Sequence, residues 1–285
     1  VLTVIIPSKT ERFLTNTIKD VLKNATGEIE VLPVLDGYRL PDNEMVDDPR
    51  VRYLHQESAP YTQKRHGLNL AVSEARGEYV MALDAHCMVA YGFDTQLAKD
   101  HKSNWVQIPR RHRLDAENWC LQDQSDNRPP IDYEYIMFRP LLQEIPSIHG
   151  FKWDQRTNER ISIAIDDTLI FQGSCWFMTK DWYKKNNFMD LSYKGWGQEA
   201  EEIGFTTRLN GGEVKTNKNT WYAHLHKGER YGRMYWMSRH ENRQSYQYSA
   251  SVWLDKNKDH FISVIEQFYP MPGWSKDWKD LIWKH

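Results

Sequence analysis

The chain has 285 residues, 40% of them hydrophobic and 27% charged, enough to bury the core of one large domain or two small ones. A net charge of −2 gives no overall attraction to nucleic acid, and three scattered cysteines (Cys87, Cys120, Cys175) form neither a disulfide framework nor zinc-ribbon spacing. No apolar run approaches the roughly 20 residues that cross a bilayer, and "VLTVIIP" is too short for a signal peptide and lacks a basic leader. The expectation is a protein of a reducing, cytoplasmic compartment with no membrane partner and no obligate protein partner.

In chain order, "LTVIIPS" (residues 2–8) is a β-branched run punctuated by Pro7, a buried strand ending at Ser8 with Glu11 just beyond. "RFLTNTIKDVLKNA" follows with Phe13, Leu14, Ile18, Val21 and Leu22 at helical spacing. "EIEVLPVLDG" (28–37) is a second strand ending in Asp36, and "VRYLHQ" a short third. "YTQKRHGLNLAVSEARGEY" reads as a helix closed by Gly77. "EYVMALDAH" is a fourth strand, "GFDTQLAKDHK" a helix and "NWVQIPR" a strand. Residues 110–167 are polar and contain prolines, and are expected to be irregular. "TLIFQGSCWFMTKDWYKKNN" returns to strand and helix. "GWGQEAEEIGFTTRLNGGEVKT" gives a Gly/Trp loop, a helix over 199–209, a Gly-Gly turn and a strand; the chain then runs through "TWYAHLHKGERYGRMY" into a helical, aromatic C-terminal part.

Alternating strands and helices imply an α/β fold, a Rossmann-like three-layer sandwich with a mainly parallel central sheet. Ligands bind beyond the carboxyl ends of such strands, where Asp36 and Asp84 are expected. Asp84 and His86 stand at i and i+2, on one face of a regular strand. Both side chains suit a divalent ion such as Mn²⁺, but the pair also fits a polar strand end. Cys87 would point to the opposite face, into the core. His224 and His226 form a second i, i+2 pair, and with Asp84 and His86 they supply three or four ligands with positions left open. Zinc hydrolase chemistry would use a similar set, but H-E-x-x-H is absent, as are the P-loop, G-x-G-x-x-G and G-x-S-x-G. Glu199, Glu201 and Glu202 suit an acidic first helical turn; Trp196 between Gly195 and Gly197 suits a sugar or base platform.

Taken together, "VIIPSKTERFLTNTIKDVL", "VLPVLDG", "GEYVMALDAHCMVAYGF", "GSCWFMTKDWY", "WGQEAEEIGF", Gly211-Gly212 and "YAH" resemble, in order, the motifs of GT-A glycosyltransferases of the family 2 kind. Within that fold the similarity is to the polypeptide N-acetylgalactosaminyltransferases, with a more distant likeness to the β-1,4-galactosyltransferases. It covers residues 2–232, read as one catalytic domain, with 233–285 a helical extension packed on it. The resemblance implies a UDP-sugar donor and a divalent ion, Mn²⁺ or Mg²⁺, bound by Asp84, His86 and His224, with His226 a neighbour. It places Trp196 in a loop over the donor, Glu199 near the donor sugar, Lys227 on the diphosphate with Arg230 and Tyr231 close by, and Asp36 on the uracil or ribose. Pro7, Ser8 and Glu11 at the first strand end complete the donor side, and Lys64 and Arg65 stand nearest to the arginines that precede the family's L-D-x-H. Ala200 replaces the family's Asn after W-G-G-E, which puts N-acetylgalactosamine in doubt. No anchor, stem or lectin segment is recognised along the chain, so a Golgi enzyme is not the expectation.

The family likeness implies retention of anomeric configuration; inversion would call on a general base, which Glu199, Glu201 or Glu202 can supply. For the acceptor, "IPRRHR" (108–113) and the basic, aromatic stretch 226–258 suit phosphate contacts with base stacking, as in DNA carrying a hydroxymethylated base. The same residues also suit solvent and the donor diphosphate, leaving glycan, peptide or small-molecule acceptors open. A nucleotidyltransferase would carry a Gly-rich basic loop near the first strand, of which "PSKTER" is a poor version; an inactive sugar- or nucleic-acid-binding module is the other alternative.

Overall fold

The structure, a computed structural model, describes residues 1–57, 63–122, 129–138, 148–195, 197–232 and 239–283. The first part alternates as the sequence pattern implies: β1 (Leu2–Ser8), α1 (Leu14–Asn24), β2 (Ile29–Asp36), β3 (Leu54–Gln56), α2 (Gln63–Glu74), β4 (Tyr79–Leu83), β5 (Cys87–Val89), α3 (Phe93–Lys99) and β6 (Trp105–Asp115). There follow β7 (Cys120–Leu121), β8 (Glu134–Phe138), β9 (Ile148–Lys152), α4 (Asp154–Glu159), β10 (Ile165–Asp167), β11 (Cys175–Thr179), α5 (Lys180–Lys185), α6 (Glu199–Leu209) and β12 (Glu213–His224). The chain ends in α7 (Gly228–Tyr231), α8 (Arg239–Ala250), a π-helical turn (Ser251–Lys256), α9 (Lys258–Phe268) and α10 (Trp278–Trp283).

The main sheet has the order β10-β12-β6-β11-β4-β1-β2-β3. Along it β1, β2, β3, β4, β6 and β12 run one way, while β11 and β10 oppose their neighbours. β1 and β2 are buried along nearly their whole length, which is why they read as continuous apolar runs rather than as alternating ones. Pro33 has no N–H to donate, and it falls between the Val31↔Val51 bridge and the start of β3 pairing at Val34↔Leu54. One face of the sheet buries Leu14, Ile18, Val21, Phe93 and Leu97 of α1 and α3. The other packs against α2, α5, α6 and the C-terminal helices, whose Trp253, Phe261, Ile265 and Ile282 share a core with Val214 and Phe205.

Two elements depart from the sequence expectation. Residues 110–167 are not simply irregular: β6 runs on to Asp115, and β8 and β9 form a separate antiparallel pair. Glu134 inside β8 made that strand look polar, yet it is buried against Arg111. Asp84 and His86 are not strand residues, because β4 ends at Leu83 and residues 84–86 turn into β5. Side chains of α1 fix this turn: Thr17 Oγ1 accepts from the Cys87 amide (3.1 Å) and Asp20 Oδ1 from the Val89 amide (2.8 Å).

Away from the strand ends, His101 lies edge-on to Tyr79 and Phe177, with ring centroids at 5.6 and 5.1 Å, and its Nδ1 accepts from Gln107 Nε2 at 2.9 Å. Burial lowers its pKa to about 4, so the folded chain keeps it neutral. As pH falls from about 6.5 toward 4 the unfolded chain binds a proton that the folded chain does not, so stability falls with pH, by on the order of 2 kcal/mol from this group. Urea denaturation at pH 7 and pH 4.5 is expected to show a smaller pH-dependent loss for His101→Gln than for the wild type. An equal loss in both would contradict this.

Candidate active site

Strand ends meet at one edge of the sheet. β1 leads to Glu11, β4 to Asp84 and His86, and β12 ends at His224 and leads to Lys227. The antiparallel β5–β12 register sets His224 opposite Cys87, and the Leu225 amide donates to the His86 carbonyl at 3.1 Å, so the two histidines are brought side by side. Asp84 is held from behind: its amide donates to the Ser174 carbonyl at 2.8 Å, and Lys64 Nζ donates to Asp84 Oδ1 (3.0 Å) and to the Gly173 carbonyl (3.1 Å). Cys87 and Cys175 are fully buried in the core and Cys120 is exposed.

Asp84 Oδ2 lies 3.4 Å from His224 Nε2 and 3.9 Å from His86 Nε2, and the two Nε2 atoms are 3.1 Å apart. Donor atoms about 2.1 Å from a common ion and at right angles to each other are about 3 Å apart, so this triangle fits one divalent cation with positions left open. One carboxylate and two imidazoles, with no thiolate, suit a borderline first-row divalent ion better than a soft, thiolate-selecting one. Burial opposes charge on Asp84, but Lys64 and both histidines outweigh it and hold the carboxyl far below the usual range. Burial drives His224 down to about 3 against the pull of Asp84, leaving it in the neutral form that ligates metals. His226 is exposed with its ring 5.3 Å from that of His224, and it is not part of the triangle.

The other expected residues divide. Glu11 joins the cluster: Lys227 Nζ donates to both of its carboxylate oxygens at 2.6 Å, and its Oε2 lies 3.4 Å from His86 Nδ1. Burial raises its pKa, while His86 and Lys227 lower it by more. At the β2 end, Asp36 Oδ2 is 3.1 Å from Lys9 Nζ, and its buried Oδ1 has no hydrogen-bond partner among the described residues. Pro7 and Ser8 close β1, with the Ser8 hydroxyl hydrogen-bonded to that of Tyr38, which the sequence reading had not singled out. Glu199 is buried at the start of α6 and faces Gly173, where an added Cβ would stand 3.8 Å from its Oε2. Lys64 therefore grips the same Gly173 that Glu199 faces.

Arg65 and Glu202 are brought to each other instead. They form a buried ion pair, the guanidinium lying 4.3 Å from the centre of the Tyr193 ring. Arg230 and Tyr231 sit on α7 beside Glu117, at 3.6 and 3.0 Å, and Tyr231 stacks edge-on against Phe13. Trp196 lies outside the described residues, as do 233–238 of the basic, aromatic C-terminal stretch. In "IPRRHR", Arg110 pairs with Asp132 (2.7 Å), Arg111 with Glu134 (2.6 Å), and Arg113 donates to the Pro129 carbonyl (3.2 Å). Sequence periodicity carries no signal for such internal partners.

An α/β fold with a mainly parallel central sheet is the architecture of GT-A glycosyltransferase structures. The fold matches a crystal structure of GalNAc-T7 with UDP, GalNAc and Mn²⁺ over 100% of this chain and 54% of that one (TM-score 0.68, 15% identity). It also matches S. aureus TarS 1–349 in complex with UDP-GlcNAc over 99% of this chain and 70% of that one (TM-score 0.51, 14% identity). Residues 3–185, more than half of the chain, match the model of glycosyl transferase family 2, and the chain belongs to that family. Among curated proteins it is similar to polypeptide N-acetylgalactosaminyltransferase 8 of Drosophila melanogaster, 20% identical over 85% of this chain. It is also similar to the putative polypeptide N-acetylgalactosaminyltransferase 13 of the same organism, 27% identical over 54% of this chain. The chain spans 41% of the first relative's length and 26% of the second's.

Proposed function

We propose that the chain transfers a sugar from a UDP-sugar to an acceptor hydroxyl, using a divalent ion, Mn²⁺ or Mg²⁺, held by Asp84, His86 and His224. The observation that carries this reading is the triangle of donor atoms at 3.1, 3.4 and 3.9 Å, beside two lysines and beyond the strand ends. When bound, the ion offsets the negative charge that builds on the diphosphate as UDP leaves. Lys64, held on Asp84 and Gly173, turns the carboxylate toward the histidines, and Lys227 supplies a positive charge for the diphosphate. Asp36 Oδ1, without a hydrogen-bond partner among the described residues, suits an N–H or hydroxyl of the uridine. By the family likeness, Glu199, buried at the start of α6, is the carboxylate on the side of the donor sugar.

Residues 1–232 act as the catalytic domain in this reading and 233–285 as an extension, whose described helices pack on it. Transfer with retention follows the family likeness. A hydroxymethylated base in DNA is one acceptor class, but it loses the support of "IPRRHR", whose arginines are engaged internally. That favours a glycan, peptide or small-molecule hydroxyl.

With Mn²⁺ present, at least one UDP-sugar in a donor panel is expected to release UDP, and excess EDTA is expected to lower that rate by on the order of 100-fold or more. No UDP binding and no turnover of any donor with either ion would overturn the proposal. Turnover of a nucleoside triphosphate with a sugar phosphate would point instead to nucleotidyl transfer. A gel shift with hydroxymethylcytosine DNA across salt concentrations tests the DNA acceptor.

A further inference from the structure

Glu11 sits between β1 and α1, on neither of the elements it contacts, with its side chain 10% exposed. Its carboxylate spans two groups that come from distant parts of the chain. Lys227 Nζ, just past β12, donates to both oxygens at 2.6 Å, and His86 Nδ1, in the turn between β4 and β5, lies 3.4 Å from Oε2. The opposite nitrogen of His86, Nε2, is the one in the donor triangle.

An imidazole that ligates through Nε2 carries its proton on Nδ1, and a carboxylate facing Nδ1 fixes both that tautomer and the plane of the ring. At 3.4 Å the contact is an ion-pair distance, and a shift of about 0.4 Å would make it a hydrogen bond. Lys227 is an ammonium with three donors, two of them taken by Glu11. Its position beside the triangle is therefore set by Glu11 as long as no more strongly charged anion is present.

We propose that Glu11 is a positioning residue: it fixes the His86 ring for the ion through Nδ1 and holds Lys227 beside the cluster until a diphosphate draws it away. This rests on the reading of Asp84, His86 and His224 as ion ligands and assigns no direct donor contact to Glu11. Gln at this position keeps an oxygen acceptor for His86 and removes the charge that holds Lys227, so the two contacts can be separated.

The test is Mn²⁺ affinity without nucleotide, and UDP affinity in EDTA, for wild type, Glu11→Ala, Glu11→Gln and Asp84→Ala, with melting curves to establish folding. Glu11→Ala is expected to weaken Mn²⁺ binding by about 10–100-fold, while Glu11→Gln, which keeps an acceptor for Nδ1 and loses only the charge that offsets Lys227, is expected to lose several-fold less than Ala. In EDTA, Glu11→Gln is expected to bind UDP several-fold more tightly, and the gain should vanish when Lys227→Met is added. Equal Mn²⁺ affinities for Ala and Gln at position 11 would mean that charge alone acts and would overturn the positioning role. So would a UDP gain that survives Lys227→Met, or a loss of metal-free UDP binding in Glu11→Gln. If Glu11→Ala does not fold, the Glu11→Gln and Lys227→Met cycle still decides. If wild type binds no Mn²⁺, or Asp84→Ala binds it as wild type does, the ligand reading itself fails and the role of Glu11 falls with it. Mn²⁺ binding lost in Asp84→Ala but unchanged in Glu11→Ala sinks the inference alone.

Discussion

Asp84→Ala is expected to abolish divalent-ion binding and to lower kcat/KM for sugar transfer by on the order of 10³-fold or more. Asp84 supplies the negative charge of the donor triangle, and the two histidines beside it are 3.1 Å apart. Removing the carboxylate also takes away the negative charge 3.0 Å from Lys64, so the net field at the ion position becomes more positive. Two effects therefore act together, loss of a ligand and electrostatic repulsion of the cation. Asp84→Asn keeps the shape but not the charge, and it is expected to fall nearly as far. Calorimetric titration with Mn²⁺ and steady-state kinetics measure both, and an Asn variant within about threefold of wild type in Mn²⁺ affinity would contradict the assignment. The loss should not be one of folding, because the bond from the residue 84 amide to the Ser174 carbonyl is independent of the side chain.

Arg65→Ala and Glu202→Ala are each expected to destabilise the fold by about 3–5 kcal/mol, because each leaves a buried charge without its partner. Arg65 is only 2% exposed. Besides Glu202 its guanidinium meets the Tyr193 ring and the carbonyls of Gly197 (3.4 Å) and Asp190 (3.5 Å). Glu202 also accepts from the Asp190 amide at 2.9 Å. The melting temperature should fall by on the order of 10 °C for either single variant. The double variant Arg65→Met/Glu202→Leu should recover much of that, since it leaves neither charge behind. Urea and thermal melts give the comparison, and single variants within about 1 kcal/mol of wild type would show the pair to be dispensable. The pair joins α2 to the first turn of α6, so Arg65→Ala should also lower turnover by loosening Glu199, while Mn²⁺ affinity is retained.

Much of the fold could be read in the sequence, because local pattern decides it. The apolar run of β1, the helical spacing of α1 and the Gly-Gly turn before β12 need only neighbouring residues. The approach of Asp84, His86 and His224 was readable through the order of motifs, but its geometry was not. The i, i+2 spacing suggested a shared strand face, whereas a turn places the two side chains, and β5, only three residues long, exists through pairing with β12 more than a hundred residues away. Arg65, Glu202 and the arginines of "IPRRHR" were read as ligand-facing because charge in a sequence does not reveal whether its partner is a ligand or another side chain. Glu11 was expected on the donor side; its contacts to His86 and Lys227 come from elements that only the folded sheet brings together.

The place of β12 in the sheet has a consequence for how the site comes into being. β12 lies between β10 and β6 and pairs with β5 as well, so it joins strands made well before it. During synthesis the N-terminal half of the site, with Asp84 and His86, leaves the ribosome over a hundred residues ahead of His224. Pairings of such long sequence separation form late and slowly. The complete donor triangle can appear only after β12 has added between β6 and β10 to a sheet already begun, so capture of the ion would mark the end of folding rather than guide its start.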